Sequence, residues 1–334
     1  MVKCPPFQAD GNRGGNSVSL RISRSLVCLA ASALAVAVFA QPEAAFAVDW
    51  SKVEAKKITL LYPAQSSWER LMIRERHSGG PRFRDGKNCF ACHGDIDEKS
   101  LGMSLVNGEK FKEPAPVIGK PGFQEALIKI AHDADNIYVR VEFDPGKQPD
   151  AGQDKDYENK VALMIDDGGA ENGNRAGCWT ACHDDVQTMG RGSDKIPTKY
   201  LMQTRVPGGA GKLFDPPELD KMKAEGKFLE YWQARITPEG KAIPFDGVVL
   251  DKRADNMETA VKTEATKSKA GVWAVTFTRK LTGVAGHKDI VAGKTYNIGF
   301  AIHTGHSAKR YHYVSYERTM VLDSGKADFV VTAK

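Results

Sequence analysis

The stretch EALIKIAHDADNIYVRVEF at residues 125–143 decides the fold class of this 334-residue chain. Apolar side chains occupy every second position from Ile137 to Phe143, and this period of two is typical of a strand that buries one face. The turn-forming residues Asp133–Asn136 separate this run from the apolar run Glu125–Ala131. The stretch therefore predicts a β-hairpin.

Similar short runs continue to the C-terminus, and one further run lies upstream of the hairpin. Besides the hairpin, the runs are Lys57–Tyr62, Lys160–Ile165, Tyr200–Val206, Phe228–Ile236, Gly247–Leu250, Val272–Arg279, Tyr296–His303, Tyr311–Met320 and Phe329–Thr332. After residue 118, only Pro217–Glu225 has helical character. Many short strands with few helices are typical of a sandwich. We predict a mainly β protein with an antiparallel β-sandwich over residues 118–334.

Residues 1–47 have the features of a cleavable signal peptide. Arg21 and Arg24 precede the apolar run Leu26–Ala40, and Ala45–Phe46–Ala47 places small residues at the positions that signal peptidase reads. The apolar run is short for a transmembrane helix, and the rest of the chain has no long apolar run. We predict cleavage after Ala47, export to the periplasm and a mature chain without a membrane span.

Residues 48–117 are predicted to form a small module that precedes the sandwich and is mostly irregular or helical. Its end is marked by a proline-containing linker, Glu113–Pro114–Ala115–Pro116. A break at His77–Pro81, rich in glycine, divides the module, and Cys89 to His93 are expected to open a short helix.

The charge of the chain argues against nucleic acid as a partner. The formal net charge is +5, and removal of residues 1–47 takes away four basic and two acidic residues, which lowers it to +3. Nucleic-acid-binding domains carry larger and more clustered positive charge.

The cysteines carry the strongest chemical signal in the sequence. Of six cysteines, Cys4 and Cys28 lie in the predicted signal peptide. The other four all fall in two units, Cys89–Phe90–Ala91–Cys92–His93 and Cys178–Trp179–Thr180–Ala181–Cys182–His183. The alternatives are a structural zinc site or short-loop disulfides. Structural zinc is usually held by neighbouring Cys pairs, whereas these pairs are far apart and each is followed directly by His.

Both units fit the attachment of a c-type haem. Two thiols form thioether bonds with the vinyl groups of the haem, and a His directly after the second Cys reaches the iron. Cys89, Cys92 and His93 have the usual spacing, whereas Cys178, Cys182 and His183 have one additional residue between the thiols. We predict two covalently bound haem c groups, with His93 and His183 as axial iron ligands.

The second axial ligand of each iron decides between electron transfer and ligand binding. For the first haem we favour His77, with Met72 and Met103 as alternatives, because His77 lies in a Gly- and Pro-rich loop. For the second haem, the histidines near the C-terminus are candidates: His303, His306 and His312.

Residues 118–334 resemble the haem-binding domain of the gamma subunits of ethylbenzene dehydrogenase and dimethyl sulfide dehydrogenase. The cues are Ala131–His132–Asp133, Ile137–Val141, Gly299–Ile302 and His312–Ser315. The resemblance implies a β-sandwich that passes electrons from a molybdenum enzyme. That family holds a b-type haem through Met and Lys, whereas this chain looks like the c-type branch, known as cytochrome c-552/DMSO-reductase-like. The resemblance places the Cys178 unit where the Met would lie.

The same resemblance makes His312 the first choice for the second distal ligand, because it stands where the family has its Lys. We predict a periplasmic dihaem c-type cytochrome that transfers electrons between redox partners and is not itself an enzyme. Partners would be redox proteins, such as a quinol-linked cytochrome or a molybdenum oxidoreductase. Two alternatives are a haem-carrying subunit of a DMSO reductase-type molybdenum oxidoreductase, and a haem enzyme or gas sensor with an open iron site.

Overall fold

The computed structural model describes residues 48–62, 72, 74–75, 77–94, 97–108, 116–183, 199–207 and 212–334. These residues all belong to one compact unit. The predicted signal peptide, residues 1–47, lies outside the described residues, as does most of the predicted linker at 113–116. In the described part of the chain, no helix combines the length and the apolar character needed to cross a membrane.

Fifteen strands are present in the described residues. They are β1 Lys56–Leu61, β2 Phe123–His132, β3 Asn136–Phe143, β4 Asn159–Asp166, β5 Cys182–His183, β6 Lys199–Tyr200, β7 Leu229–Ile236, β8 Ala242–Val249, β9 Arg253–Asp255, β10 Lys262–Lys267, β11 Trp273–Lys280, β12 Thr295–His303, β13 Tyr313–Ser315, β14 Arg318–Leu322 and β15 Phe329–Val331. The α-helices are α1 Gly80–Arg84, α2 Cys89–His93, α3 Glu98–Val106, α4 Gly173–Ala176 and α5 Pro216–Ala224. Short 3₁₀ turns occupy Trp50–Lys52, Gly177–Thr180 and Met202–Thr204.

Thirteen of these strands form one antiparallel sheet that curls around the core, which confirms the predicted mainly β fold. Its main order is β10-β11-β3-β2-β1-β13-β12-β4-β7-β8-β9, and β14 pairs with β12 and, in parallel, with β15. Strand β10 contacts β8 although the two are far apart in this order, so the sheet folds back on itself. Strand β1, from the predicted N-terminal module, pairs with both β2 and β13.

The predicted hairpin is confirmed as β2 and β3. Ile137, Val139, Val141 and Phe143 are buried, whereas Arg140 and Glu142 are half-buried on the other face. The buried face contributes to a single large core, in which Trp232 and Phe277 are fully buried with ring centroids 6.3 Å apart. Burial of such large apolar side chains is the main stabilisation of the sheet.

The predicted strand Tyr200–Val206 is wrong beyond its first residue. Only Lys199–Tyr200 pairs as a strand, and a 3₁₀ turn follows at Met202–Thr204. The carbonyl oxygen of Leu201 accepts hydrogen bonds from both the amide and the hydroxyl of Thr204, at 3.1 and 2.6 Å. Such local hydrogen bonds of threonine compete with the strand ladder.

The predicted strand Tyr311–Met320 is interrupted by a β-bulge. Strand β12 pairs Ala301 with Val314 but Ile298 with Arg318, so the register shifts by one residue between β13 and β14. The amide of Phe300 donates to the side-chain oxygen of Ser315, at 3.0 Å, instead of to a backbone carbonyl. A bulge of this kind changes the direction in which the following side chains point.

Three strands were not predicted from the sequence. The two-residue strand β5, Cys182–His183, lies at the end of the second cysteine unit. Strand β10 has the polar sequence KTEATK and lies at one end of the sheet order, where Lys and Glu are typical of a protected edge. Strand β9 is only three residues long, too short for a periodic signal. The helix predicted at Pro217–Glu225 is confirmed as α5.

Candidate functional site

The first cysteine unit lies on helix α2, as the sequence predicts. The side chain of Asn88 caps the helix by accepting a hydrogen bond from the amide of Ala91 at 2.8 Å. Because residues three and four apart share one face of a helix, Cys89, Cys92 and His93 project from the same side of α2. All three are half-buried.

The ring of His77 lies opposite the ring of His93. The two ring centroids are 6.3 Å apart, and the ring planes differ by 23°. A metal–imidazole bond is about 2 Å long, so two imidazoles that ligate one ion from opposite sides have centroids roughly 6 Å apart. The separation therefore fits an iron between the two histidines. Gly79 makes room for the His77 ring, because a Cβ there would lie 3.1 Å from its Cε1 atom.

The methionines that the sequence offered as alternatives lie elsewhere in the described structure. Met72 packs against the buried cluster of Phe83 and Ala176, as Cys89 also does. Met103 lies on α3 and is exposed. Of the three candidates, His77 is the one whose side chain faces the ring of His93.

Residues of the bulge beside β13 form the wall of this site. The ring of Tyr316 stacks on that of His93, with centroids 5.6 Å apart, and contacts Phe90 edge to face at 5.5 Å. The carboxylate of Glu317 accepts a hydrogen bond from the amide of Phe90 at 3.2 Å. These three contacts were not predicted from the sequence, and they join segments more than 200 residues apart.

The second cysteine unit begins in the 3₁₀ turn Gly177–Thr180 and ends in strand β5. Cys178 is buried against β12, where Gly299 leaves it space, since a Cβ at Gly299 would lie only 2.5 Å from its Sγ atom. The backbone of Cys182 and His183 pairs with β6. The additional residue in this unit is thus accommodated by a change from turn to strand between the two cysteines.

The surroundings of the thiols are mostly apolar. Among the described cysteines, Cys89, Cys92 and Cys178 are not joined by a disulfide. Burial raises the pKa of the Cys178 thiol to about 11. Burial, together with the nearby Glu317 carboxylate, also raises the pKa of the Cys89 thiol. Within the described residues no group of three His, Cys, Asp or Glu side chains is arranged to hold a metal ion.

Cys178 opens into a cavity of about 460 Å³, which is within the range of small-molecule sites. Its apolar lining consists mainly of Ala162, Met164, Val249, Ala301 and Val314. Its charged lining is mostly basic, with Lys160, Lys199, Arg235, Arg253 and Lys309 against two carboxylates, Asp154 and Asp255, and we call these basic residues the basic wall. An apolar macrocycle with two anionic propionates fits such a lining, because the ring would contact the apolar side chains and the propionates would pair with the basic wall.

His312 and His303 both line this cavity. Their rings stack with centroids 4.8 Å apart. The Nδ1 atom of His312 donates to the carbonyl oxygen of Lys309 at 2.8 Å, and Nε2 of His303 donates to the same oxygen at 3.1 Å. Metal-ligating histidines typically donate their other ring nitrogen to a carbonyl in this way. The Nδ1 hydrogen bond of His312 fixes the tautomer whose lone pair is on Nε2, and imidazole binds metals through such a lone pair.

His306 is not among the residues that line the cavity. Its Nδ1 atom donates to the carbonyl oxygen of Asp154 at 2.8 Å. The basic residues of the cavity were not predicted, since they come from strands β4, β6, β7 and β9 and from the Lys309 turn. Only the fold shows that they share one cavity.

Comparison with known proteins finds one matching family and relatives that are named as cytochromes. The family model described as ethylbenzene dehydrogenase matches residues 47–270. Cytochrome c-552 of Stutzerimonas stutzeri is 32% identical over 283 residues, which are 84% of this chain and 89% of the relative. Cytochrome c-551 of Rhodocyclus tenuis is 29% identical over 270 residues, 80% and 92% of the two chains.

Solved structures overlap only weakly with this chain. A family 9 carbohydrate-binding module from Caldicellulosiruptor kristjanssonii has a TM-score of 0.27 and 13% identity, over 58% of this chain and 66% of the module. A putative carbohydrate-binding protein from Bacteroides uniformis has a TM-score of 0.28 and 12% identity, over 64% and 76%. These similarities carry no functional argument.

The curled sheet, the two cysteine units and the cytochrome relatives together define a haem-carrying electron-transfer protein. More particularly, the chain belongs to the ethylbenzene dehydrogenase family, as the resemblance in the sequence predicts.

Proposed function

We propose that this chain is a periplasmic dihaem c-type cytochrome that passes electrons between redox partners. One haem would be bound through Cys89 and Cys92, and the other through Cys178 and Cys182. The observation that carries the proposal is that a second histidine accompanies each unit: His77 faces His93, and His312 lines the cavity of Cys178.

The protein residues would bind, orient and tune the two groups. His93 and His183 would be the axial ligands that follow each cysteine pair, with His77 and His312 on the opposite sides. When bound, haem supplies a reversible one-electron iron couple. The carbonyl of Lys309 orients His312, and the basic wall with Lys199 and Arg253 neutralises anionic propionates. Tyr316 and Phe90 exclude water beside His93.

The location and the partners are part of the same proposal. The predicted signal peptide, residues 1–47, supports export to the periplasm, where c-type haem is attached and where a redox protein would exchange electrons with the chain. A quinol-linked cytochrome and a molybdenum oxidoreductase are the two classes of partner that we consider.

A role as the haem subunit of a molybdenum oxidoreductase is the second candidate. The family favours this role, since the family model that matches the chain is that of ethylbenzene dehydrogenase. The two relatives are named as cytochromes, which favours the independent carrier. Co-purification of the untagged partner with a tagged chain, as a stable stoichiometric complex, would favour the subunit.

Carbon monoxide tests whether the irons are closed on both sides. We expect the oxidised protein to take up two electrons per chain on reduction, and the reduced protein to show no rapid spectral change with carbon monoxide. His77→Ala should open the first iron and His312→Ala the second, so each variant should gain binding at one haem only. Both results would be read from absorption spectra.

His306→Asn is the matched control, because His306 lies near the same turn but outside the cavity, and Asn tolerates its positive φ of 55°. We expect its spectra to equal those of the unchanged protein. Rapid carbon monoxide binding to the unchanged protein would favour the haem enzyme or gas sensor instead. An unchanged second haem in His312→Ala would transfer the ligand assignment to His303.

A further inference from the structure

The two cysteine units are in contact through one aromatic side chain. Trp179, which lies directly after Cys178, packs against two separate apolar clusters. One cluster contains Cys178 and Ala301. The other is formed by Phe83 and Ala176, and Cys89 packs against it as well. Among the apolar side chains of the described residues, Trp179 is the one that belongs to both clusters. The indole therefore bridges the two predicted attachment sites.

The indole is also hydrogen-bonded to the strand that carries the wall of the first site. Its Nε1 atom donates to the carbonyl oxygen of Ser315 at 2.9 Å. The next residue along the chain, Tyr316, stacks on the ring of His93. Two noncovalent contacts, the Nε1 hydrogen bond and the ring stack, therefore connect Trp179 with the axial ligand of the other unit.

Close packing at Gly177 brings the 3₁₀ turn of the second cysteine unit against the residues that follow β13. A Cβ at Gly177, where φ is +52°, would lie 3.0 Å from the Cα atom of Glu317. The 3₁₀ turn of the second unit thus lies directly on the bulge residues. The carboxylate of Glu317 in turn accepts a hydrogen bond from the amide of Phe90 on α2. The bulge, Ser315–Glu317, therefore contacts both units at once.

We propose that Trp179 and the bulge Ser315–Glu317 form the electron-transfer link between the two haem sites. Electronic coupling decreases less through covalent bonds, hydrogen bonds and stacked rings than across open gaps. The route from Trp179 through Ser315 and Tyr316 to His93 has one hydrogen bond and one ring contact, and its remaining connections are covalent. Trp179 is a positioning and coupling residue, and it is not itself oxidised.

The inference rests on the proposed dihaem function. In the step that it describes, one electron leaves the reduced iron of one site and arrives at the oxidised iron of the other. No proton or atom is transferred and no bond is made or broken. A one-electron donor of the reduced-flavin class, produced by a light flash, supplies the electron in the experiment below.

The test compares Trp179→Phe and Trp179→Leu in the haem-loaded full-length mature protein. After a flash that reduces less than one haem per chain, absorbance at wavelengths where the two haems differ reports the redistribution of the electron. We expect Trp179→Leu to slow the redistribution several-fold, because the ring and the hydrogen bond are both lost. Trp179→Phe retains an aromatic ring but not the Nε1 donor, so its rate should be intermediate.

Two measurements separate coupling from a merely structural role. Trp273→Phe is the matched control, because Trp273 is a tryptophan that packs in the large core and belongs to neither of the two clusters, and its rate should equal that of the unchanged protein. Haem content and the two reduction potentials, measured by redox titration, should stay constant in all variants, since no iron ligand changes. Rates normalised to that content report coupling alone.

The outcomes distinguish this inference from the proposed function. Equal redistribution rates in Trp179→Leu and Trp273→Phe, with two haems present in each, would overturn the link through Trp179 and leave the dihaem function intact. A single haem in the unchanged protein would overturn the proposed function and the link together. A slow rate confined to the Trp179 variants, with unchanged potentials, supports the link.

Discussion

A variant with both Cys89→Ala and Cys92→Ala is expected to retain one covalently bound haem, and a variant with Cys178→Ala and Cys182→Ala is expected to retain the other. Covalent attachment needs the thiols of a unit, so a variant that lacks both thiols should lose the haem of that unit. Haem staining of denatured protein and intact mass would give the count per chain.

The two variants are expected to differ in stability. The first unit lies on the short helix α2 and is only half-buried, so loss of its haem should leave the sheet intact. Loss of the second haem empties a cavity of about 460 Å³ whose basic wall would then lack its anionic partner. Because a bound ligand stabilises the folded state, the second variant should unfold at a lower urea concentration.

Cys28→Ala is the control for the haem count, because Cys28 lies in the predicted signal peptide and should be absent from the mature protein. It should retain both haems. Two haems per chain in either double variant would contradict the assignment of that unit. One haem in the unchanged protein, with no change in the second variant, would restrict the cofactor to the Cys89 unit.

The second large effect concerns Lys120, a buried lysine beside the sheet. Its ammonium donates to the hydroxyl of Thr304 at 3.0 Å and lies 4.3 Å from the centroid of the Tyr313 ring. Burial lowers its pKa to about 7 from the ordinary 10.5. None of the ion pairs seen among the described residues involves Lys120.

Lys120→Met is expected to stabilise the protein by about 3 kcal/mol at pH 6. A pKa of about 7 in place of 10.5 corresponds to roughly 4–5 kcal/mol, and the aromatic rings offset part of it. The folded protein releases the proton near pH 7 but the unfolded chain retains it to about pH 10.5, so the unfolded chain binds more protons between these values. The stability of the unchanged protein therefore rises with pH in that window, and the advantage of Lys120→Met should decline.

Urea unfolding of haem-loaded protein at pH 6, 8 and 9.5 would check this expectation. Lys262→Met is the matched control, because Lys262 is exposed on the edge strand β10. It should change stability little and independently of pH. A Lys120→Met variant that is less stable than the unchanged protein at all three pH values would show that the buried ammonium is a net stabilising group.

The sequence predicted the elements whose signals are local. The period of two from Ile137 to Phe143 identified β3 because one face of that strand is buried along its whole length. The cysteine spacing predicts both units as haem-attachment sites, because thioether chemistry constrains neighbouring residues. The predicted strand at Tyr200–Val206 failed because Thr204 satisfies the carbonyl of Leu201 locally, and a hydrogen bond of this kind leaves no periodic signal.

The surroundings of the sites could not be predicted, since they depend on long-range pairing. Tyr316 reaches His93 because a bulge shifts the register between β13 and β14 by one residue. The sequence offers no local marker of that shift. The basic wall likewise exists only after the sheet has curled, because Lys160, Arg235 and Arg253 come from three different strands.

The position of β1 has a consequence for attempts to divide the chain. Lys56–Leu61 is inserted between β2 and β13, in the interior of the sheet. A fragment that begins at residue 118 would lack this strand and would expose two unpaired edges, which are templates for aggregation. Excision is therefore a poor route to a protein with one cofactor. Substitution of the cysteines, which leaves every strand in place, is the route that the architecture permits.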